Sequence, residues 1–221
     1  MKALWGVARE GRWLRVTSIS HERRDLLLRF ELFPAPTDET PPAWLVSCRQ
    51  VREFSFTDLD GGGLNLWTRN HPLLSQFSSR KASLKIPIGR GTRAECMGTL
   101  LQSHRQAVDD WIEFERFVPA RISLRTGARP IAIAGPEFLL AGYQRGLEQA
   151  GFRPVLKNHR RALYWSGFGW SERRHAVSLL HFGNSFVVAE SFSAEPEATR
   201  HVRPNQRLQP SAPGAIVKRR G

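Results

Sequence analysis

Residues 129–156 read Arg129-Pro-Ile-Ala-Ile-Ala-Gly-Pro-Glu-Phe-Leu-Leu-Ala-Gly-Tyr-Gln-Arg-Gly-Leu-Glu-Gln-Ala-Gly-Phe-Arg-Pro-Val-Leu156, and their local signals agree on a strand, a turn, a helix and a second strand. Residues 131–134 form a short apolar run, and Pro136 suits the first helical position because its missing N–H costs nothing there. Gly151 suits the left-handed residue that follows a helix. The apolar face of the helix is predicted from three residues at helical spacing, Leu140, Tyr143 and Leu147.

The sequence before this stretch is typical of antiparallel strands. Residues 13–20 and 25–33 are two β-prone runs around a short turn, and they predict a hairpin. Residues 44–56 predict a longer strand, with a bulge at Arg49 and Gln50 where the alternation loses phase. The glycine-rich residues 58–63 predict a tight hairpin turn, since neither a dinucleotide-binding nor a Walker pattern is present.

Thr92 and Glu95 match a capping box, which predicts a helix from residue 92 to about 108. In residues 109–117, acidic side chains alternate with aromatic and aliphatic ones, and this alternation predicts an extended segment.

The fold class that we predict is α+β. Residues 1–118 are expected to form a mainly antiparallel sheet, a sandwich or an open barrel, closed by the helix at 92–108. Residues 128–193 are expected to form a small β-α-β-β-β lobe that packs on this sheet, either as a separate domain or as part of one domain with a shared core. Residues 194–221 are poor in large apolar side chains, which predicts a disordered tail.

The last 15 residues, Arg207-Leu-Gln-Pro-Ser-Ala-Pro-Gly-Ala-Ile-Val-Lys-Arg-Arg-Gly221, resemble the end of many unrelated bacterial reading frames that run into an intergenic repeat. This resemblance implies a bacterial protein and nothing about the fold.

Composition excludes several classes of protein. The N-terminus has no apolar stretch long enough for a signal peptide, and no window approaches a transmembrane span, so we expect a cytoplasmic protein that does not contact a membrane. Cys48 and Cys96 lie far apart, which indicates neither a disulfide framework nor a cysteine-rich metal site. The net charge is +13, but 28 of the 33 basic residues are Arg, a bias that genome composition can produce without function.

Residues 157–175 interleave cationic and aromatic side chains. The candidate binding residues are Arg160, Arg161, Trp165, Phe168, Trp170, Arg173 and Arg174. Aromatic rings can stack on bases while guanidinium groups hold the phosphates, and the same residue types dominate protein-binding hot spots. The alternative is that the aromatic side chains fill the core and that residues 166–169 are the loop of a hairpin.

Catalytic signals are weak. The candidate acid–base group is His104 with Asp109 and Asp110. The alternative is a hydrogen-bonded core histidine, which is the ordinary finding on the apolar face of a helix, where His104 falls. No histidine pair has metal-ligand spacing on a helix. His175 and His181 would share a strand face, and they are the least unsuitable ligands, but no metal and no cofactor is expected.

Three functions follow in order of preference. The first is a non-enzymatic protein that binds another macromolecule, with a protein as the favoured partner. The second is RNA or single-stranded DNA binding through residues 157–175. The third is an enzyme whose site is assembled across the two lobes. The sequence gives no indication of the oligomeric state.

Overall fold

The computed structural model describes Leu4 and residues 13–33, 43–87, 91–119 and 130–197. Within these residues the fold is α+β and mainly antiparallel, as predicted. The strands are β1 (Trp13–Glu22), β2 (Asp25–Phe33), β3 (Ala43–Ser55), β4 (Asp60–Gly62), β5 (Leu64–Trp67), β6 (Lys81–Ile86), β7 (Ile131–Pro136), β8 (Val155–Asn158), β9 (Tyr164–Trp165), β10 (Trp170–Ser171), β11 (Ser178–Phe182) and β12 (Ser185–Pro196). The helices are α1 (Pro72–Ser78), α2 (Arg93–Val108) and α3 (Glu137–Gln149), with a 3-10 helix at Phe114–Arg116.

The main sheet has seven strands in the order β4-β1-β2-β3-β12-β11-β5, and every neighbouring pair is antiparallel. Its two edge strands are β4 and β5, which only Gly63 separates along the chain. Gly63 has a φ of +87°, a conformation that glycine adopts without steric cost. The chain therefore forms one edge of the sheet before Gly63 and the other edge directly after it. Because this brings the two edges together, the sheet is a nearly closed barrel.

The glycine-rich segment differs from its prediction, because Asp60–Gly62 forms β4 instead of a turn. The reason is a close backbone approach at the barrel seam. A Cβ atom added to Gly61 would lie 2.7 Å from the backbone nitrogen of Gly183, in the turn between β11 and β12. Only a residue without a side chain allows the two backbones to lie this close together.

A second, three-stranded sheet has the order β7-β6-β8, with β6 antiparallel to both neighbours. The strand–helix–strand unit of residues 131–158 is present, but β6 lies between its two strands. The pairing also crosses the boundary that was predicted at residue 118: β6 belongs to the small sheet, whereas β11 and β12 complete the barrel beside β3.

Two hydrophobic clusters lie on opposite faces of the barrel sheet. Val187 and Leu180 belong to the cluster inside the barrel, whereas their neighbours Val188 and Leu179 belong to the cluster under the helices. Around these residues the sheet is thus buried on both faces, which explains the continuous apolar run at residues 186–189.

Two of the three predicted helix signals are confirmed. Pro136, predicted at the first helical position, is instead the N-cap of α3, because its ψ of 135° is extended and it is the last residue of β7. Thr92 accepts a hydrogen bond from the backbone of Glu95 and the Glu95 carboxylate accepts one from the backbone of Thr92, which completes the capping box. At the end of α3, Gly151 has a φ of +85°, and the Phe152 N–H donates to the Leu147 carbonyl at 2.9 Å. These bonds form the Schellman motif that the glycine predicted.

Strand β12 extends into the first residues of the predicted tail. Residues 194–196 continue β12 and pair with β3, because backbone pairing does not need large apolar side chains. The rest of the predicted tail, residues 198–221, lies outside the described residues, and so do residues 120–129. Among the described residues, no helix has the length and hydropathy that a membrane crossing needs.

Candidate functional site

The sequence-predicted binding residues lie on and beside a small hairpin formed by β9 and β10. The Ser166 N–H donates to the Gly169 carbonyl at 2.8 Å and closes the loop, as expected for a hairpin. Phe168 lies at the tip and is 69% exposed, more than any other large hydrophobic side chain among the described residues. Its ring lies 5.5 Å from the guanidinium carbon of Arg24, which belongs to the turn between β1 and β2.

The hairpin loop packs directly on the barrel. Gly167 has a φ of +91°, and a Cβ atom there would lie 2.2 Å from the Arg52 carbonyl oxygen on β3. At the other end of the hairpin, the Lys81 N–H donates to the Leu163 carbonyl at 2.7 Å. The hairpin is therefore fixed at both ends, and the direction of Phe168 is set by the fold.

Trp165 and Trp170 connect the same hairpin to the hydrophobic core. Their ring centroids are 5.6 Å apart in an edge-to-face arrangement, and Trp165 also meets Phe117 at 6.0 Å. Lys81 covers Trp170, with its ammonium 5.2 Å from the ring centroid. Both tryptophan rings are half-buried against the core, so of the three aromatic candidates only Phe168 is open to a partner.

The arginine candidates lie at the base of the hairpin, and all four are exposed. Arg161 forms an ion pair of 3.4 Å with Glu172, but both side chains are largely in solvent, where such pairs contribute little. Arg160, Arg173 and Arg174 form no ion pair with any described residue. The structure thus places these positive charges just before and just after the hairpin that carries the exposed ring.

Beneath the hairpin loop lies an ion cluster that the sequence did not indicate. Arg52 is the bulged residue of β3, since Val188 pairs with Glu53 and the next residue pairs with Val51. The Arg52 guanidinium is only 7% exposed and donates to the Glu190 carboxylate, which lowers the pKa of Glu190.

His175 completes this cluster. Its Nδ1 atom lies 2.9 Å from the Glu190 carboxylate and 3.0 Å from an Arg52 Nη atom. His175 lies 123 positions after Arg52 along the chain, and Glu190 lies 138 positions after it. No local motif could therefore have revealed the cluster. The sequence predicted a bulge at Arg49 and Gln50, whereas the structure places it at Arg52, and it indicated His175 only as a candidate metal ligand.

His104, Asp109 and Asp110 do not form a catalytic arrangement in the structure. His104 is 2% exposed; its Nε2–H donates to the Ile112 carbonyl at 2.5 Å and its Nδ1 accepts from the Tyr143 hydroxyl at 2.7 Å. Burial lowers the pKa of His104 and raises that of Tyr143. Both carboxylates are exposed at the end of α2, and neither hydrogen-bonds the imidazole.

The two histidines considered as metal ligands have different surroundings. His175 contacts Glu190, whereas the ring of His181 meets Trp111 at 5.1 Å. His71 contacts the same indole at 4.5 Å. Burial is the main cause that lowers the pKa of both His71 and His181. Among the residues that the structure covers, no group of three or more His, Cys, Asp or Glu side chains has the arrangement of a metal site.

Comparison with known proteins gives no further guide to this surface: no protein-family model matches the sequence, and neither the curated proteins nor the solved structures contain a match.

Proposed function

We propose that this is a cytoplasmic bacterial protein that works without catalysis, by binding a partner protein through the surface of its small hairpin. This hairpin surface consists of Phe168, Arg24, Arg160, Arg161, Arg173 and Arg174. The observation that supports the proposal best is the 69% exposure of Phe168 at the tip of a loop that is fixed to the barrel. Exposing a phenylalanine ring to water is unfavourable, and a rigid exposed ring loses little entropy when it enters a pocket.

The chemistry of the hairpin surface indicates what the partner must offer. Phe168 needs an apolar pocket, and the arginines at the base of the hairpin need carboxylates. Phe168 and Arg173 are five residues apart, so extended strand geometry separates them by at most about 17 Å. A standard protein interface covers about 800 Å² on each partner, which is wide enough to include both. The partner is therefore a protein with an acidic rim around an apolar pocket.

A protein partner fits this surface better than single-stranded nucleic acid does. Nucleic-acid binding of this kind uses several open rings on which successive bases stack. Trp165 and Trp170 pack against the core and against each other, which leaves Phe168 as a single open platform. An enzymatic function through His104 finds no support, because both of its ring nitrogens are engaged within the core.

Affinity capture followed by direct binding tests the proposal. Tagged full-length protein is used to capture partners from bacterial lysate, and each purified candidate is then titrated with the wild-type protein and with two variants. Phe168→Ala should weaken binding about 30-fold, as expected for an aromatic hot spot. Phe54→Ala removes another exposed ring, 49% exposed on β3, and should change the affinity less than about twofold.

Two results would contradict the proposal. One is that every candidate partner binds the Phe168→Ala variant as tightly as it binds the Phe54→Ala variant. The other is capture that disappears when the lysate is treated with nuclease, since this result would make nucleic acid the partner. Each variant is first shown to unfold at the wild-type temperature, so that a loss of binding reports on the surface.

A further inference from the structure

A cleft of about 710 Å³ lies beside the hairpin surface, at one end of the β5–β11 pair. Three segments that are distant in sequence form it: residues 68–70 after β5, the outer side of α1, and residues 174–177 before β11. Because β5 and β11 are antiparallel, the end of the first and the start of the second lie at the same end of the sheet. Helix α1 then closes the third side.

The lining of the cleft is positively charged. Arg69 and Arg174 both line it, and none of the described lining residues carries a carboxylate. Neither guanidinium forms an ion pair or a side-chain hydrogen bond with a described residue. An unneutralised pair of guanidinium groups attracts an anion, and the planar fork of each group matches the oxygens of a phosphate.

Neutral groups in the cleft add hydrogen-bonding and apolar contacts. The Thr68 hydroxyl and the Asn70 amide line it and make no hydrogen bond with a described residue. By contrast, Ser75 donates to the carbonyl of His71, so its proton is already used. Leu74 and Val177 supply an apolar wall on opposite segments. The volume lies in the range of about 300–1,000 Å³ that is typical of small-molecule sites.

His175 lines the same cleft and connects it to the buried ion cluster. Its Nδ1–H donates to the Glu190 carboxylate at 2.9 Å, which fixes the ring. Its Nε2 atom makes no hydrogen bond with a described residue and is the ring atom that can serve a ligand. An imidazole oriented through one nitrogen by a carboxylate presents the other nitrogen in a defined direction.

We propose that this cleft binds the phosphate group of an organic phosphate through Arg69 and Arg174, with the Thr68 hydroxyl as a further donor. The Nε2 atom of His175 accepts a hydrogen bond from a hydroxyl group of the ligand. The organic part of the ligand lies against Leu74 and Val177. This site is separate from the protein-binding function proposed above, and it shares only Arg174 with the hairpin surface.

Isothermal titration of the full-length protein with sodium pyrophosphate tests the site. Arg69→Gln should weaken binding about tenfold or more, because it removes a charge-assisted hydrogen bond. The matched control is Arg145→Gln on α3, which removes the same charge from an exposed position away from the cleft and should change affinity less than about twofold. Phe168→Ala should bind pyrophosphate like the wild type, which separates this test from that of the hairpin surface.

A second titration with a single-stranded oligothymidylate identifies the source of the phosphate. Binding of pyrophosphate that depends on Arg69 indicates a small organic phosphate, whereas binding of the oligonucleotide alone, with the same dependence, indicates a nucleic-acid backbone. Two results overturn the proposal: equal losses in Arg69→Gln and Arg145→Gln, which would indicate nonspecific attraction to a basic protein, and no binding of either probe at millimolar concentration.

Discussion

Replacing Gly167 by alanine should loosen the hairpin and destabilise the protein. The added Cβ would lie 2.2 Å from the Arg52 carbonyl oxygen, and real Cβ atoms essentially never approach another heavy atom closer than 3.0 Å, so the loop must move by about 0.8 Å. The φ of +91° adds a backbone cost for any L-residue, about 1–2 kcal/mol in the left-handed region. Because the displaced loop also packs less closely on β3, we expect the free energy of unfolding to fall by about 2–3 kcal/mol.

Gly169 provides a control within the same loop. A Cβ atom there would meet nothing within 4 Å, and its φ is not positive. Gly169→Ala should therefore be neutral, or stabilising by about 0.4–1 kcal/mol through the reduced entropy of the unfolded chain.

The assay is urea denaturation followed by tryptophan fluorescence, together with hydrogen exchange of the Ser166 amide, which bonds Gly169 across the loop. Faster exchange in Gly167→Ala alone would show that the hairpin has loosened. If the two variants unfold within about 0.5 kcal/mol of each other and exchange alike, the hairpin is not anchored on Arg52.

Three further changes test the interior. Tyr143→Phe leaves the buried Nδ1 of His104 without its 2.7 Å hydrogen bond, and it should lower the free energy of unfolding by about 1–3 kcal/mol in urea titrations. Burial lowers the pKa of His71, His104 and His181 from the ordinary 6.5, so the unfolded chain binds more protons below that pH. Stability should therefore be level above pH 7 and fall as the pH drops from about 6.5 to 5; an increase over that range in urea titrations would contradict the assignment. Gly61→Ala should open the barrel seam and lower the melting temperature by several degrees in calorimetry, because its Cβ would lie 2.7 Å from a backbone nitrogen.

Local signals predicted local structure well. The capping box of Thr92 and the left-handed Gly151 were found from the sequence because each depends on hydrogen bonds within a few residues. The fold class followed from periodicity for the same reason. The position of β6 could not be predicted, because nothing local indicates that it lies between β7 and β8.

Long-range contacts account for what the sequence missed. Residues 109–117 alternate like a strand, yet they form a turn and a 3-10 helix. In this arrangement Arg116 forms an ion pair with Glu53 on β3 at 2.6 Å, a contact between residues 63 positions apart. The alternation of polar and apolar side chains carries no information about this partner.

The candidate site was predicted in part. Residues 157–175 were identified because arginine and aromatic side chains are concentrated there, and the structure places Phe168 and the arginines on and beside one hairpin. The exposure of each ring could not be predicted, since it depends on packing against Phe117 and Lys81. His175 was noted only as a weak metal ligand, because its partners Arg52 and Glu190 come from distant strands.

Photo-cross-linking from the hairpin tip tests the proposed binding surface most directly. Full-length protein with p-benzoylphenylalanine in place of Phe168 is irradiated in cells, and protein with the same residue in place of Phe54 serves as the control. We predict one defined cross-linked protein product from position 168 and none from position 54. No product from position 168, or the same products from both positions, would contradict the account.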